Sequence, residues 1–468
     1  MSPITTILAA MPGHQFSTLS IEELRARGTR KWTHFPPDVL PVWIAESDFD
    51  TCPTVIDAVN AGVRRQYFGY PPELPELGEA LSSWCHDAYG WDVDPTAIVG
   101  VPDVVRGLRL AITHFTDPGS PIVIPTPAYM PFFALLDVCD RPGVFVPMIQ
   151  DTTTGRWVFD LDGLERAFAN GAGSMILCNP HNPLGTAFTA DELRAVTDLA
   201  ARYDVRVFSD EIHGPLVYDH PHIPTASVSE TAARVTITAT ATSKGWNTAG
   251  LKCAQLIFTN PADKYVWDTR INFLDKEGVS TLGQLAAIGA YTNGREWLRE
   301  EIDYLRDNKN LLVEALNRIP NVRTTNPEAT FLLWVDMTDV VIPAVPDQAQ
   351  EGEDDDTADE GITFGESIRR GGLNPEQWLV KHAKLAPNDG AAFAAPPAES
   401  AQGNKAQGDT DDESQPLPHG FGCIRINFAT SRDICEMIAT TLTQLFSSTE
   451  NPNGTPRHTT PNGVPEAH

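Results

Sequence analysis

Residues 205–218 read VRVFSDEIHGPLVY, and residues 235–253 read VTITATATSKGWNTAGLKC. Each begins as a Val/Ile/Thr-rich run, which is typical of a parallel strand that is buried on both faces. Polar residues follow each run, and Asp210 and Lys244 are the most telling of them. Because ligands of doubly wound sheets bind outside the carboxyl ends of the strands, we expect this carboxylate and this amine to meet in one crevice.

The chain around these segments alternates short apolar runs with helical patterns from about residue 97 to residue 258. The runs are AIVGV, PIVIP, GVFVP, SMILC, VRVFS, VTITAT and CAQLIF. This alternation predicts an α/β fold with a mainly parallel seven-stranded sheet. The segment NPHNPLG at 179–185 follows SMILC, so Asn182 should join Asp210 and Lys244 at the same edge of the sheet.

We predict two domains and a tail. The segments 343–361 and 394–418 are rich in Asp, Glu, Ala, Gly, Gln and Pro, which predicts flexible acidic insertions because such segments bury little apolar surface. The predicted units are an N-terminal segment of the small domain (1–53), a large cofactor-binding domain (54–295), a small C-terminal domain that carries both insertions (296–446) and a disordered tail (447–468).

Composition narrows the class of protein. The 468 residues carry a formal net charge of −28, from 62 acidic and 34 basic side chains, which disfavours nucleic acid as a partner. Seven cysteines without a CxxC pair suit reduced thiols in a cytoplasm, and neither a disulfide framework nor a metal site is predicted. No apolar run reaches the length of a membrane helix, so a cytoplasmic protein away from membranes is expected.

Each polar residue at the predicted crevice has an ordinary explanation when taken alone. A Ser-Lys pair is usually a solvated turn, Asp210 could be a helix N-cap, and Asn182 could belong to an Asn-Pro turn. Together they suit pyridoxal phosphate (PLP). Lys244 would form a Schiff base with the aldehyde, Asp210 would pair with the protonated pyridine nitrogen, and Asn182 and His213 would reach the 3′ oxygen.

Several motifs occur in the order found in one known family. They are VWIAESDF at 42–49, FGYP at 68–71, TPAYMPFF at 126–133, SDEIHGPLVY at 209–218 and SKGWNTAGLK at 243–252. The chain thereby resembles fold-type I PLP enzymes of the class I/II aminotransferase superfamily, over about residues 16–440 apart from the insertions. Within that superfamily it is most similar to the MalY/PatB-type cystathionine β-lyase (C–S lyase) branch.

This resemblance implies roles for individual residues. Lys244 would hold the cofactor covalently and move protons, and Tyr70 would reach the site from the second subunit of a homodimer. Arg425 in IRINFAT would clamp the α-carboxylate of an amino-acid substrate, and the alternation I-R-I-N-F places Arg425 and Asn427 on one strand face. The implied cofactor contacts are Tyr70, Val104 and Val105 (backbone N–H), Tyr129 (ring stacking), Asn182, Asp210, His213, Ser243, Lys244 and Lys252.

The chain departs from the family pattern at the predicted phosphate site. The family usually has a glycine before the two valines and a small residue or proline after them, and here those positions are Asp103 and Arg106. An aspartate beside a phosphate is unfavourable unless its side chain points away.

The resemblance implies α,β-elimination on a cysteine thioether such as cystathionine, which releases homocysteine, pyruvate and ammonia. An aminotransferase is the alternative within the same fold. Aminotransferases of the superfamily often carry a tyrosine at the position of His213, which favours the lyase; one acting on dicarboxylates would also need a second arginine, for which Arg270 is available. A further alternative is a regulatory protein that binds a transcription factor.

Overall fold

The structure is a computed structural model that describes residues 16, 19–72, 74–342, 361–396, 417–418 and 420–446. Most of the two predicted insertions, and the whole of the predicted tail at 447–468, lie outside the described residues.

All seven predicted apolar runs form strands of one sheet, each within a residue or two of its expected bounds. The strands of the described chain are β1 (Leu40–Pro41), β2 (Ile98–Val101), β3 (Ile122–Thr126), β4 (Gly143–Pro147), β5 (Ile149–Gln150), β6 (Trp157–Val158), β7 (Ser174–Cys178), β8 (Arg206–Asp210), β9 (Thr236–Thr240), β10 (Ala254–Phe258), β11 (Arg323–Thr324), β12 (Leu332–Asp336), β13 (Val341–Ile342), β14 (Ile362–Thr363), β15 (Leu385–Ala386), β16 (Asn388–Asp389) and β17 (Cys423–Asn427). The central sheet has the order β2-β10-β9-β8-β7-β3-β4. Its pairs are parallel except where β10 runs antiparallel to β9 and β2, which confirms the predicted fold class.

Helices connect and cover these strands. The α-helices are α1 (Ile21–Ala26), α2 (Arg30–Thr33), α3 (Pro53–Arg64), α4 (Pro75–Tyr89), α5 (Val104–Phe115), α6 (Pro131–Cys139), α7 (Leu161–Ala169), α8 (Ala190–Arg202), α9 (Glu230–Val235), α10 (Pro261–Arg270), α11 (Phe273–Lys276), α12 (Thr281–Asn293), α13 (Arg295–Leu316), α14 (Phe364–Arg369), α15 (Pro375–Ala383) and α16 (Arg432–Phe446). Capping boxes begin several of them. In α1, for example, Ser20 and Glu23 satisfy each other's backbone N–H groups. No helix of the described ranges is both long and apolar enough to cross a bilayer.

A smaller antiparallel sheet follows the large one, in the order β11-β12-β17-β16. Helices α13 and α16 pack against each other beside it. The N-terminal strand β1 pairs in parallel with β15, so the first residues of the chain join this C-terminal part. Arg425 lies in β17, and the segment that follows β1 lies across its side chain.

The sheet register sets the position of the candidate site. Cys178 at the end of β7 pairs with Asp210 at the end of β8, and Asp210 pairs with Ala239 near the end of β9. All three strands are buried along almost their whole length. Their carboxyl ends therefore present adjacent loops to one crevice, as the sequence predicts.

Candidate active site

Asp210 lies at the floor of this crevice with 3 % of its surface exposed. Among the described residues, its carboxylate accepts one hydrogen bond, from the backbone N–H of Ile212 at 3.1 Å. Burial raises the pKa of Asp210 to about 7, because the partial compensation from the Ile212 N–H and from Lys244 is smaller. The residues directly after Asp210 form a turn and not a helix, so Asp210 is not a helix N-cap. A buried carboxylate in this state is suited to a cationic hydrogen-bond donor.

His213 lies in the turn that follows, where the N–H of Gly214 donates to the carbonyl of Glu211 at 2.9 Å. The ring is buried and its Nδ1 has no hydrogen-bond partner in the described part of the chain. Burial lowers the pKa of His213 well below its ordinary value, and the positive charges of Lys244 and Arg425 lower it further. His213 is therefore a neutral imidazole with one free ring nitrogen.

Lys244 follows β9 by four residues, in a turn that carries it back over the sheet edge. Its Nζ donates to the carbonyl oxygen of Ala45 at 2.8 Å. Burial, with a further contribution from Arg425, lowers the pKa of Lys244 from 10.5 to about 8. A substantial share of this amine is uncharged just above neutral pH, as a nucleophile or general base requires.

Arg425 is buried, and its guanidinium is held from several sides. Nη1 donates to Oδ1 of Asn182 at 3.0 Å, and Nη2 donates to the carbonyl of Trp43 at 2.9 Å and to Oδ1 of Asn388 at 2.6 Å. The guanidinium also lies over the ring of Phe393, 4.8 Å from its centroid. Burial lowers the pKa of Arg425 to about 10, and in the described part of the chain its guanidinium donates to neutral oxygens only. The structure thus brings Asn182 and Arg425 into direct contact.

Five consecutive backbone carbonyls, from Trp43 to Ser47, each accept a side-chain hydrogen bond; we call these residues the 43–47 segment. The donors are Arg425 to Trp43, Asn427 to Ile44 and Glu46, Lys244 to Ala45, and Asn247 to Ser47. This segment holds the lysine and the arginine of the site at fixed positions relative to each other.

The 43–47 segment is itself anchored by a buried ion pair. Lys31 Nζ lies 2.7 Å from Oδ2 of Asp48, and both side chains are almost fully buried. The indole N–H of Trp32 donates to the other carboxylate oxygen of Asp48 at 2.7 Å. Sequence reasoning missed the anchoring residues Lys31 and Asp48, as well as Asn247, Asn388 and Phe393. The 43–47 segment was indicated only by the motif VWIAESDF. Its role depends on backbone carbonyls, which every residue type has, so the sequence does not reveal it.

The other end of the crevice lies at the start of α5. Asp103 is the N-cap residue, and its Oδ1 accepts the backbone N–H of Arg106 at 2.8 Å. Lys252 Nζ donates to Oδ2 of the same carboxylate at 3.0 Å. The backbone N–H groups of Val104 and Val105 have no acceptor among the described residues. Lys252 and the two valines are thus brought together, with Asp103 between them.

The remaining candidates are dispersed. Tyr129 is half-buried. Burial raises its pKa most; Asp210 raises it further, and Arg425 lowers it. Ser243 is half-buried next to Lys244. Tyr70 is 98 % exposed and does not contribute to the site of its own chain. Arg270, the arginine considered for a dicarboxylate transaminase, is exposed at the end of α10.

The fold and the site together define the class of protein. The sequence profile of the family "Aminotransferase class I and II" matches residues 38–358. The chain belongs to this family, which confirms the predicted resemblance.

Relatives within the family are more specific. The chain is 46 % identical over 345 residues to a cystathionine beta-lyase of Corynebacterium glutamicum, a match that covers 74 % of this chain and 91 % of the relative. It is 31 % identical over 304 residues to the cystathionine beta-lyase PatB of Bacillus subtilis, covering 64 % and 78 %. A crystal structure of a putative PLP-dependent beta-cystathionase from Corynebacterium diphtheriae superposes with a TM-score of 0.76 at 41 % identity, covering 92 % of this chain and 99 % of the other.

Proposed function

We propose that the protein is a PLP-dependent carbon–sulfur β-lyase that cleaves cystathionine or a related cysteine thioether. One observation of the structure carries this proposal. Lys244 and Arg425 donate to the carbonyls of Ala45 and Trp43, two residues apart on one backbone segment. An amino acid whose carboxylate binds Arg425 would therefore present its α-carbon to the amine of Lys244. The named relatives support the choice of a lyase over the other reactions of the family.

The residues of the crevice fit PLP. Among the described residues, no cationic group donates to the buried carboxylate of Asp210, and Nδ1 of the buried His213 has no hydrogen-bond partner. The backbone N–H groups of Val104 and Val105, which have no acceptor among the described residues, suit a phosphate. When bound, the cofactor supplies a protonated pyridine ring that takes up the electron pair left on the substrate when its α-proton is removed.

Each side chain of the site has a separate role in the elimination. Arg425 holds the substrate carboxylate, and Asn182 orients Arg425. Lys244, as a neutral amine, removes the α-proton. The bond between Cβ and sulfur then breaks, and the sulfur takes a proton from Lys244 or from Tyr70 of a second copy. With one water consumed, the thioether yields a thiol, pyruvate and ammonia.

The role of Tyr70 requires a homodimer, which we also propose, together with a location in the cytoplasm. Tyr70 is almost fully exposed, and the nearby Phe68 is exposed as well, so this part of the chain is available to a second copy. Mixing Lys244→Ala with Tyr70→Phe, each of which should lower the activity, should restore part of it, because one of the two sites in each mixed dimer carries both wild-type residues. Absence of any restored activity after subunit exchange would argue against a shared site.

The experiment that tests the activity is pyruvate release from cystathionine by the PLP-loaded protein, without added 2-oxo acid. We expect sustained turnover that is lost in Lys244→Ala, with circular dichroism showing that this variant is folded. If pyruvate does not form, and amino acids instead convert the bound cofactor to its pyridoxamine form, the protein is an aminotransferase.

A further inference from the structure

The carboxylate of Asp103 lies at the start of α5, where the cofactor phosphate would bind. Asp103 uses one carboxylate oxygen to cap the helix and the other to bind Lys252, at 3.0 Å. The two free N–H groups of the first turn, on Val104 and Val105, lie directly next to Asp103 in the chain. One lysine is therefore available to two anions, the carboxylate and an incoming phosphate.

The carboxylate of Asp103 and an incoming phosphate would compete for the same positive groups. A helix N-terminus attracts negative charge, and Asp103 already satisfies part of that attraction. A phosphate that binds the free N–H groups would lie close to the carboxylate and would share Lys252 with it. Because the Asp103 side chain is 40 % exposed and that of Lys252 is 58 % exposed, water screens the interaction and the effect should be moderate.

We propose that Asp103 competes with the phosphate of PLP for Lys252, and that it thereby lowers the affinity of this protein for its cofactor. Asp103 is then an affinity-tuning residue at the phosphate end, where the family usually has a glycine. The inference rests on the proposed function, because it requires that PLP binds in this crevice.

The substitution Asp103→Asn removes the negative charge and keeps the helix cap. Asparagine is as good an N-cap as aspartate, so its side-chain oxygen can still accept the N–H of Arg106, while the negative charge is lost. Titrating the apoprotein with PLP, followed by absorbance and tryptophan fluorescence, should give a Kd about fivefold lower than that of the wild type, the size expected for removing one like charge at a partly exposed site. Pyridoxal, which has no phosphate, should bind both proteins equally.

Asp160→Asn is the matched control. Asp160 caps α7 in the same way, accepting the N–H of Gly163 at 2.9 Å, and its other oxygen faces a cation, Arg166, at 3.6 Å. This variant should bind PLP like the wild type. If Asp103→Asn folds poorly, Asp103→Ser provides a second neutral N-cap.

The outcomes are distinct. An unchanged or weaker PLP affinity in the neutral variants would overturn the inference, and so would an equal gain for pyridoxal, which would show that the phosphate is not involved. Failure of the wild-type apoprotein to bind PLP would overturn the proposed function and this inference with it. Normal wild-type binding without a gain in the variants overturns the inference alone.

Discussion

The two ends of the crevice differ in how much water reaches them. At the ring end, Asp210, His213 and Arg425 are almost fully buried, and burial is the largest cause of the shift in the pKa of each. At the phosphate end, Asp103 and Lys252 are about half exposed and neutralise each other directly. In the described ranges, the charged groups of the ring end thus form no direct ion pair, whereas those of the phosphate end do.

This difference in exposure suits the two ends of the crevice to different roles. Charges that have been taken out of water interact strongly and have few ways to be compensated, so the ring end is suited to setting protonation states and reactivity. Charges that remain in water are screened, so the phosphate end is suited to modest adjustment of affinity. Changes at the ring end should therefore have much larger effects than changes at the phosphate end.

The largest effect should come from Asp210→Asn. Without a carboxylate to stabilise the protonated pyridine nitrogen, we expect kcat for pyruvate release to fall on the order of 10³-fold at saturating PLP. Steady-state kinetics with the cofactor-saturated variant measures this. A loss of less than tenfold in a variant that binds PLP would mean that the buried carboxylate does not control the chemistry.

The pH dependence of Lys244 reactivity tests the ring end without turnover. Since the pKa of Lys244 is lowered to about 8, its amine should be uncharged above that pH and protonated below it. In the apoprotein, the rate at which an amine-acylating reagent modifies Lys244 should therefore rise through a midpoint near pH 8. Mass spectrometry of the modified peptide gives this profile, with N-acetyl-lysine amide as the reference, for which the midpoint is near 10.4. A midpoint close to that of the reference would contradict the proposed environment.

Two ion pairs of different burial allow a matched stability test. Lys31→Met leaves Asp48 buried without its cation and should destabilise the protein by about 3 kcal/mol. Lys252→Met breaks a pair of similar geometry that is about half exposed, and should cost less than about 1 kcal/mol. Melting temperatures of the two apoproteins, measured side by side, should drop by several degrees for the first variant and by little for the second. Equal drops in melting temperature would show that burial does not decide how much each ion pair contributes to stability.

Arg425→Lys should have a smaller effect than Asp210→Asn. Lysine keeps the positive charge but cannot reproduce the planar set of donors that contacts Asn182, Trp43 and Asn388, so KM for the amino-acid substrate should rise about 30-fold. Arg323→Lys, which changes an exposed arginine paired with Asp336 and Asp339, is the control and should leave KM unchanged. A KM for Arg425→Lys that is as unchanged as that of the control would rule out a carboxylate clamp.

The central sheet was predictable because its signal is local. Each of the seven strands is a short apolar run, and burial on both faces makes such runs stand out from the amphipathic helices between them. The same logic placed Asn182, Asp210 and Lys244, since strand ends in a parallel sheet share one edge. The alternation in IRINF placed Arg425 and Asn427, and both donate to the 43–47 segment.

The supporting contacts were not predictable from the same signals. The segment LPVWIAESDFD (40–50) has an extended pattern, but only Leu40 and Pro41 pair as a strand, because side chains from distant parts of the chain bind the carbonyls that follow. The Asp103–Lys252 pair joins residues 149 positions apart, and no local pattern indicates such a partner. Backbone acceptors and long-range pairs emerge only when the chain is folded.

The most direct test of the proposed elimination is to measure thiol and pyruvate in the same reaction of PLP-loaded protein with cystathionine, without a 2-oxo acid. Cleavage of the Cβ–S bond predicts equal amounts of both products over many turnovers, with the cofactor spectrum unchanged at the end. No thiol, together with about one 2-oxo acid per subunit and a cofactor left in the pyridoxamine form, would contradict the lyase and establish transamination in its place.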